Sequence, residues 1–281
     1  MKLNLKILVL IFAVIPGVLF VAVSLLLVLF APRFFYYPER GASHVTPASL
    51  GLHYEDIYFQ SQDGTKLNGW LIFSTTPAKA TVVLVHGNAG KLENHLATVA
   101  WLPQQGYNVF MFDYRGFGLS DDVPPAPKPL MEDTRAAIAT VKNRQDLPAD
   151  QLLVLGQSLG GNNAIAAVGL GDKKGIKGMV IDSTFYAYSK IAGDKFLFAR
   201  YLVSDTYSAS RLVNRIAPIP MLFIHGTEDT VITDDHTKAL YEASTSPKKI
   251  IIATGEKHVT ALLNPVYQKE VLRFFDDCLK E

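Results

Sequence analysis

The sequence predicts the α/β class, with a mainly parallel central sheet and helices on both faces. Short runs with strand character alternate with longer helical patterns from about residue 80 onward, which is typical of parallel sheets. The run Thr81–Val85 is nearly continuous in apolar residues, as strands buried on both faces are. A further run, Leu152–Leu155, breaks into a glycine-flanked serine and resumes as a helical pattern. With 281 residues, 49% of them hydrophobic, the chain can bury a large core.

The order of the elements follows from these patterns. An alternating stretch at 53–60 turns at Asp63-Gly64 and continues into 67–73, which predicts an antiparallel hairpin. Further strands are expected at 81–85, 108–112, 152–155, 178–181, 220–224 and 249–252. Helices are expected at 92–105, 130–144, 159–168, 186–202, 234–243 and 261–279. The segment between Asp182 and Pro220 has room for one or two helices, so we expect a short lid.

The amino-terminal stretch from Ile7 to Pro32 contains no charged residue and exceeds the roughly 20 residues that cross a bilayer. A cleaved signal peptide is the alternative, although its apolar core normally has only roughly 7 to 15 residues. We therefore expect one transmembrane anchor at 1–32, with the lipid bilayer as a partner, and a catalytic domain at 33–281. Lys2 and Lys6 precede the stretch, which favours a single-pass protein with its domain on the non-cytoplasmic side. The aromatic run at 34–37 fits an interfacial belt or packing on the domain equally well.

Composition argues against several classes of function. The formal net charge is +1, and no run of Lys or Arg is long enough to follow a phosphate backbone, so nucleic acid is not an expected partner. Cys278 is the only cysteine, which excludes a disulfide framework and a cysteine-based zinc site. We expect neither a cofactor nor a metal.

The pattern Gly156-x-Ser158-x-Gly160 stands between a predicted strand and a predicted helix. This context is that of a nucleophile elbow, a strained turn that lifts a serine hydroxyl above the sheet. A helix that begins just after Ser158 also aims backbone N–H groups at an anion forming there. Ser158 is therefore the candidate nucleophile.

A serine nucleophile needs a histidine base that a carboxylate orients. His258 follows the last predicted strand on a loop that could carry it over the sheet, and Asp229 follows the strand before it. The order Ser158, Asp229, His258 is the one expected for an α/β-hydrolase. Asp182, at the end of the intervening strand, is the alternative acid, although a helix cap or a turn is its simpler role.

Two backbone N–H groups are expected to bind the oxyanion of the tetrahedral intermediate. Leu159 follows the nucleophile and supplies one, and Asn88, in the loop after the first buried strand, supplies the other. His86 in the same loop is expected to be structural.

Four motifs together resemble the α/β-hydrolases of the membrane-anchored, prolyl-oligopeptidase-related esterase group, which includes protein depalmitoylases. They are His86-Gly87-Asn88-Ala89-Gly90, Asp113-Tyr114-Arg115-Gly116-Phe117-Gly118, Gly156-Gln157-Ser158-Leu159-Gly160 and His225-Gly226-Thr227-Glu228-Asp229. The resemblance runs from about Tyr54 to the carboxyl terminus, and it implies that the Asp113 turn is chiefly architectural. The cysteine-rich amino terminus of the depalmitoylases is absent here, and an apolar stretch stands in its place.

These observations predict a membrane-anchored serine hydrolase that cleaves ester or thioester bonds of a small or lipid-like acyl substrate. A serine peptidase of the same fold and a non-catalytic binding protein are the alternatives. The aromatic residues of the lid segment fit either an acyl pocket or the core; they are Phe185, Tyr186, Tyr188, Phe196, Phe198 and Tyr201.

Overall fold

Strands and helices alternate through most of the computed structural model, which describes residues 10–23, 35–148 and 150–280. The strands are β1 (Tyr37–Pro38), β2 (Tyr54–Gln60), β3 (Lys66–Ile72), β4 (Ala80–Val85), β5 (Ala89–Gly90), β6 (Tyr107–Asp113), β7 (Leu152–Gln157), β8 (Ile176–Asp182), β9 (Met221–Gly226) and β10 (Lys248–Ala253). The α-helices of the domain are α1 (Leu92–Val99), α2 (Pro127–Lys142), α3 (Leu159–Gly169), α4 (Tyr188–Lys195), α5 (Ala209–Leu212), α6 (Asp234–Ala243) and α7 (Pro265–Cys278).

The central sheet has eight strands in the order β10-β9-β8-β7-β4-β6-β3-β2. Strands β4 and β6 to β10 pair in parallel, whereas β2 and β3 form the predicted antiparallel hairpin at one edge. The crossovers place the carboxyl ends of the parallel strands along one edge of the sheet, where chemistry collects in such folds.

Helices cover both faces of the sheet because successive residues of a strand point to opposite sides. In β4, Val83 and Val85 join a core with residues of α2 and α3, whereas Val82 and Leu84 join a core with residues of α1 and α7. All of β4 is buried, which explains why its sequence is nearly continuous in apolar residues. The predicted α/β class and mainly parallel sheet are therefore confirmed.

Several predicted helices are shorter than expected because the chain changes conformation within them. The first stops at Val99, and Pro103 begins a separate 3-10 turn over Pro103–Gln105. The lid helix ends at Lys195, where Phe196 is extended, and a 3-10 turn follows over Leu197–Tyr201. The last predicted helix divides into a 3-10 turn over Ala261–Leu263 and α7, which starts at a proline.

The lid aromatics divide into two groups. Phe185 and Tyr188 are buried in the core and Tyr186 packs partly buried against it, whereas Phe196, Phe198 and Tyr201 are exposed. The exposed three are therefore neither core residues nor the lining of a closed acyl pocket.

The predicted transmembrane helix is not supported by the part of the chain that the structure describes. Residues 10–23 are helical, and no helix within residues 10–23, 35–148 and 150–280 is both long and apolar enough to cross a membrane. The predicted anchor at 1–32 also includes residues 1–9 and 24–32, which lie outside the described residues.

Candidate active site

The turn between β7 and α3 places Ser158 at the carboxyl edge of the sheet in a strained conformation. Its φ is 54° and its ψ is −121°, a region that a residue with a side chain rarely adopts. Gly160 makes the turn possible, because a Cβ there would lie 1.8 Å from the carbonyl oxygen of Val85. The Ser158 N–H donates to the Asp182 carbonyl at 2.9 Å, and the Thr184 hydroxyl donates to the Ser158 carbonyl at 3.1 Å. These hydrogen bonds hold the strained residue in place.

The three residues predicted to form a triad meet in a single hydrogen-bonded chain. The Ser158 Oγ lies 3.1 Å from the His258 Nε2, and the His258 Nδ1 lies 2.7 Å from the Asp229 Oδ2. A carboxylate only accepts hydrogen bonds, so Nδ1 carries the proton and Nε2 is left to accept the serine hydroxyl. This is the arrangement in which an imidazole can take a proton from a serine.

Asp229 is held as a carboxylate by donors on both of its oxygens. The N–H groups of Val231 and Ile232 each donate to Oδ1 at 2.9 Å, and Oδ2 accepts from His258. Burial alone would raise the pKa of Asp229, but hydrogen bonds from His225 and His258 hold the pKa of this carboxyl below its usual range. The ionised form therefore prevails at neutral pH, as an orienting acid requires.

His225 is a residue of the site that sequence reasoning did not single out. Its Nε2 lies 3.1 Å from the Asp229 Oδ2 and 2.8 Å from the Ile232 carbonyl oxygen, while its Nδ1 lies 2.7 Å from the Thr237 hydroxyl. A carbonyl cannot donate, so Nε2 carries a proton that it shares between the carbonyl and the carboxylate. The signal was present in the sequence, because His225 opens the turn that ends at Asp229.

Asp182, the alternative acid, has other partners. It is fully buried; its carboxyl group accepts from the Gln157 amide at 2.8 Å and the Ser183 hydroxyl at 3.0 Å. Burial raises the pKa of this carboxyl, although both of those hydrogen bonds oppose the rise. The Asp182 carbonyl supports the elbow by accepting the Ser158 N–H. The carboxylate that is hydrogen-bonded to His258 is that of Asp229.

The loop that carries His258 reaches the site because Gly226 lets it approach β9. A Cβ on Gly226 would lie 2.1 Å from the Glu256 carbonyl oxygen, and that carbonyl accepts the Glu228 N–H at 2.9 Å. Val259, next to His258, has a positive φ of 52°. The Val259 N–H donates to the Ser183 hydroxyl at 3.4 Å, so the loop is bent and is anchored on both sides of the imidazole.

The predicted oxyanion groups belong to the first residue of α3 and to the loop after β4, and both segments adjoin Ser158. Leu159 is the first residue of α3, so its N–H has no carbonyl partner within the helix. The loop after β4 lies against Ser158, since a Cβ on Gly87 would be 3.7 Å from the Ser158 Cβ. Asn88 follows directly in that loop, and the binding of an oxyanion by its N–H stays a prediction.

Residues 35–37, the first described residues after 24–34, hold the Asn88 loop. The Asn88 side-chain amide donates to the Phe35 carbonyl at 2.9 Å, and the Tyr37 N–H donates to the Asn88 carbonyl at 2.8 Å. Strand β1 then pairs in parallel with β5, which continues the same loop. Phe35 and Tyr36 pack on the domain. Phe35 and Tyr37 also brace the candidate oxyanion loop, which sequence reasoning did not predict.

His86 and Asp113 form a buried pair beneath the same loop. The His86 Nδ1 donates to the Gly87 carbonyl at 2.8 Å, and its Nε2 lies 3.6 Å from the Asp113 Oδ1. Burial lowers the pKa of His86 and raises the pKa of Asp113 to about 8. Both residues are therefore uncharged at neutral pH, consistent with the structural role expected for His86.

No group of His, Cys, Asp and Glu side chains in the described ranges (10–23, 35–148 and 150–280) is arranged to hold a metal ion.

The sheet order, the elbow between β7 and α3 and the order of the three site residues along the chain define an α/β-hydrolase. The family described as "Serine aminopeptidase, S33" matches residues 76–218, and the chain belongs to this family. The predicted hydrolase fold is confirmed; the expected placement among membrane-anchored esterases and depalmitoylases is not.

Known proteins resemble most of the chain. An Escherichia coli O157:H7 protein called YfhR is 39% identical over 272 residues, which cover 92% of this chain and 94% of the relative. The Arabidopsis thaliana alpha/beta hydrolase domain-containing protein WAV2 is 30% identical over 286 residues, with 92% of each chain covered. The Pyrococcus furiosus esterase Pf2001 superposes with a TM-score of 0.71 at 24% identity, covering 88% of this chain and 97% of that one. At this identity, the superposition supports the fold alone.

Proposed function

We propose that this hydrolase is a serine esterase or thioesterase that acts through an acyl-enzyme, with Ser158 as nucleophile, His258 as base and Asp229 as orienting acid. The observation that carries the proposal is the chain of hydrogen bonds from the Ser158 Oγ through His258 to Asp229, at 3.1 and 2.7 Å.

The proposed reaction has two halves. The Ser158 Oγ attacks the acyl carbonyl while its proton passes to the His258 Nε2, and the N–H groups of Asn88 and Leu159 stabilise the oxyanion. The C–O or C–S bond then breaks, and the imidazolium returns the proton to the departing alcohol or thiol. Water attacks the acyl-enzyme by the same route, with His258 as base, and releases the carboxylic acid.

A serine peptidase is the second candidate, since the family takes its description from an aminopeptidase. The substrate of an aminopeptidase carries an ammonium group, which a carboxylate would bind through a charge-assisted hydrogen bond. Asp182 is fully buried, and Asp229 is only 7% exposed and already paired with two histidines. Neither of these two carboxylates is open to a substrate ammonium group, whereas Glu228, next to Asp229, is exposed, so the peptidase stays the second candidate.

The test compares matched substrates on the purified full chain. We expect turnover of p-nitrophenyl esters of graded acyl length and little turnover of amino-acid p-nitroanilides. A fluorophosphonate probe should label the wild type and not Ser158→Ala. Faster cleavage of the anilides would favour the peptidase, and a folded wild type without labelling or turnover would favour a non-catalytic binding protein.

We further propose that residues 7–32 attach the enzyme to a lipid bilayer, with the domain on the non-cytoplasmic side. The proposal rests on the uncharged length of this stretch and on the two lysines before it. The full chain should stay in the membrane pellet after an alkaline carbonate wash. A protease added to cells should digest the domain once the outer envelope is permeabilised and while the cytoplasmic membrane is intact. Release by the wash would contradict the attachment.

A further inference from the structure

The surface of the lid carries a cluster of large apolar side chains that the core does not use. We call Phe196, Leu197, Phe198 and Tyr201 the lid patch; these residues are 75%, 67%, 79% and 78% exposed. Isolated exposed apolar residues are ordinary, but four within the six positions 196–201 are not. Such a cluster points to a partner with an apolar surface.

Basic side chains accompany the lid patch. Lys195 and Arg200 are exposed within the same stretch, and the Arg200 guanidinium lies 5.7 Å from the Tyr201 ring centre. Aromatic and aliphatic side chains beside Lys and Arg are typical of surfaces that insert into the interface of a membrane with anionic headgroups.

The lid helix α4, which leads directly into the lid patch, contacts both a loop of the candidate site and the chain near the amino-terminal stretch. The Lys195 Nζ donates to the Val231 carbonyl at 3.1 Å, and the Val231 N–H donates to the Asp229 Oδ1 at 2.9 Å. On the lid helix α4, Tyr188 packs edge to face on Phe35 with ring centres 6.4 Å apart. Phe35 directly follows residues 24–34, which lie outside the described part and include the end of the uncharged stretch at Pro32.

We propose that the lid patch docks on the surface of a lipid bilayer and thereby brings esters embedded in that bilayer to Ser158. The inference rests on the proposed function and names its substrate class, lipid-like esters presented at a membrane.

The test places a fluorescent label on one residue of the full chain in vesicles of phosphatidylcholine and phosphatidylglycerol. Phe198→Cys carries the label, and Tyr58→Cys on strand β2 is the matched control, since Tyr58 is also an exposed aromatic but lies at the far edge of the sheet. Cys278 is buried, so the wild type controls for background labelling. We expect a blue shift at position 198 and quenching by nitroxide-bearing lipids, with neither at position 58.

Two results would overturn the docking proposal. One is a label at 198 that stays as exposed to water as the label at 58. The other is a label at 198 that is already shielded from water before lipid is added, in a protein that has the mass of two chains. That result would mean that the lid patch contacts a second copy of the chain. Labelling does not depend on turnover, so a failure of ester hydrolysis would count against the proposed function alone.

A kinetic test uses the double variant Leu197→Ser and Phe198→Ser. Loss of two apolar side chains from a membrane interface should raise KM for an ester embedded in vesicles about tenfold. Turnover of p-nitrophenyl butyrate should be unchanged, because neither residue contacts the triad. Equal losses on both substrates, or no loss on either, would contradict the proposal.

Discussion

The Asp229 Oδ2 lies between two imidazoles, 2.7 Å from the Nδ1 of His258 and 3.1 Å from the Nε2 of His225. His225 is fully buried and its other nitrogen contacts Thr237, so it cannot serve as the base. It fixes the direction of the carboxylate instead. His225 is thus a positioning residue, and its effect on the reaction should pass through Asp229.

The first prediction follows from this contact. His225→Leu removes a hydrogen bond to a charged group and should lower kcat about tenfold. His225→Gln keeps an N–H donor and should stay close to the wild type. A carboxylate with fewer donors holds an imidazolium more strongly, so the acidic limb of the pH–rate profile should move to higher pH only in the leucine variant. Equal kcat losses and unshifted profiles in both variants would leave His225 with a packing role.

The second prediction concerns the nucleophile. Ser158→Ala should lower ester turnover by a factor on the order of a million, as loss of a triad serine does in a related mechanism. Its free energy of unfolding should change little, because the backbone hydrogen bonds that hold the elbow remain. Ser204→Ala, an exposed serine of the lid, is the control and should keep full activity. More than about a tenth of the wild-type turnover in Ser158→Ala would exclude Ser158 as nucleophile.

The third prediction separates the two candidate acids. Asp229→Asn should lower kcat on the order of ten-thousandfold, because an amide cannot hold the required tautomer of His258. Asp182→Asn should cost stability rather than turnover, since this carboxyl accepts hydrogen bonds from Gln157 and Ser183. Urea unfolding and initial rates on one ester would measure both effects. Similar rate losses in two folded variants would reopen the choice of acid.

The fourth prediction is a dependence of stability on pH. Burial raises the pKa of Asp113 to about 8, whereas an unfolded aspartate has a pKa of about 3.9. Between these values the folded chain binds the extra proton, so the contribution of Asp113 to the free energy of unfolding falls as pH rises. The free energy of unfolding of Asp113→Asn should fall less as pH rises, because its amide does not titrate. Urea unfolding at pH 5, 7 and 9 would test this, and parallel curves for the two proteins would contradict it.

The fifth prediction concerns the amino-terminal boundary. A chain that begins at residue 33 keeps Phe35 and strand β1, so kcat on a short ester should match that of the full chain. A chain that begins at Gly41 loses both contacts to the Asn88 loop and should be slower, even when folded. Circular dichroism and gel filtration would establish folding and exclude aggregates. An inactive but folded chain from residue 33 would mean that the preceding stretch forms part of the site.

Sequence patterns predicted those parts of the molecule that depend on local chemistry. The buried strands followed from apolar runs such as Thr81–Val85, and the elbow followed from glycines whose replacement would clash with backbone. The bracing of Asn88 by Phe35 could not be predicted, because it joins residues brought together only by the fold. The contact between His225 and Asp229 was missed although the two residues lie four positions apart in one turn. Helix ends were also missed where the backbone changed conformation, as at Phe196.

Gly160 has a consequence at the level of the genetic code. Every single-base missense change of a glycine codon encodes a residue with a Cβ, and here that carbon would overlap the Val85 carbonyl oxygen, 1.8 Å away. Ser158 makes its supporting contacts through its backbone, so other small residues can replace its side chain without disturbing them. In a descendant that is not catalytically active, Ser158 could therefore be replaced while Gly160 is retained, because the glycine is required by the backbone of the turn and not by the reaction.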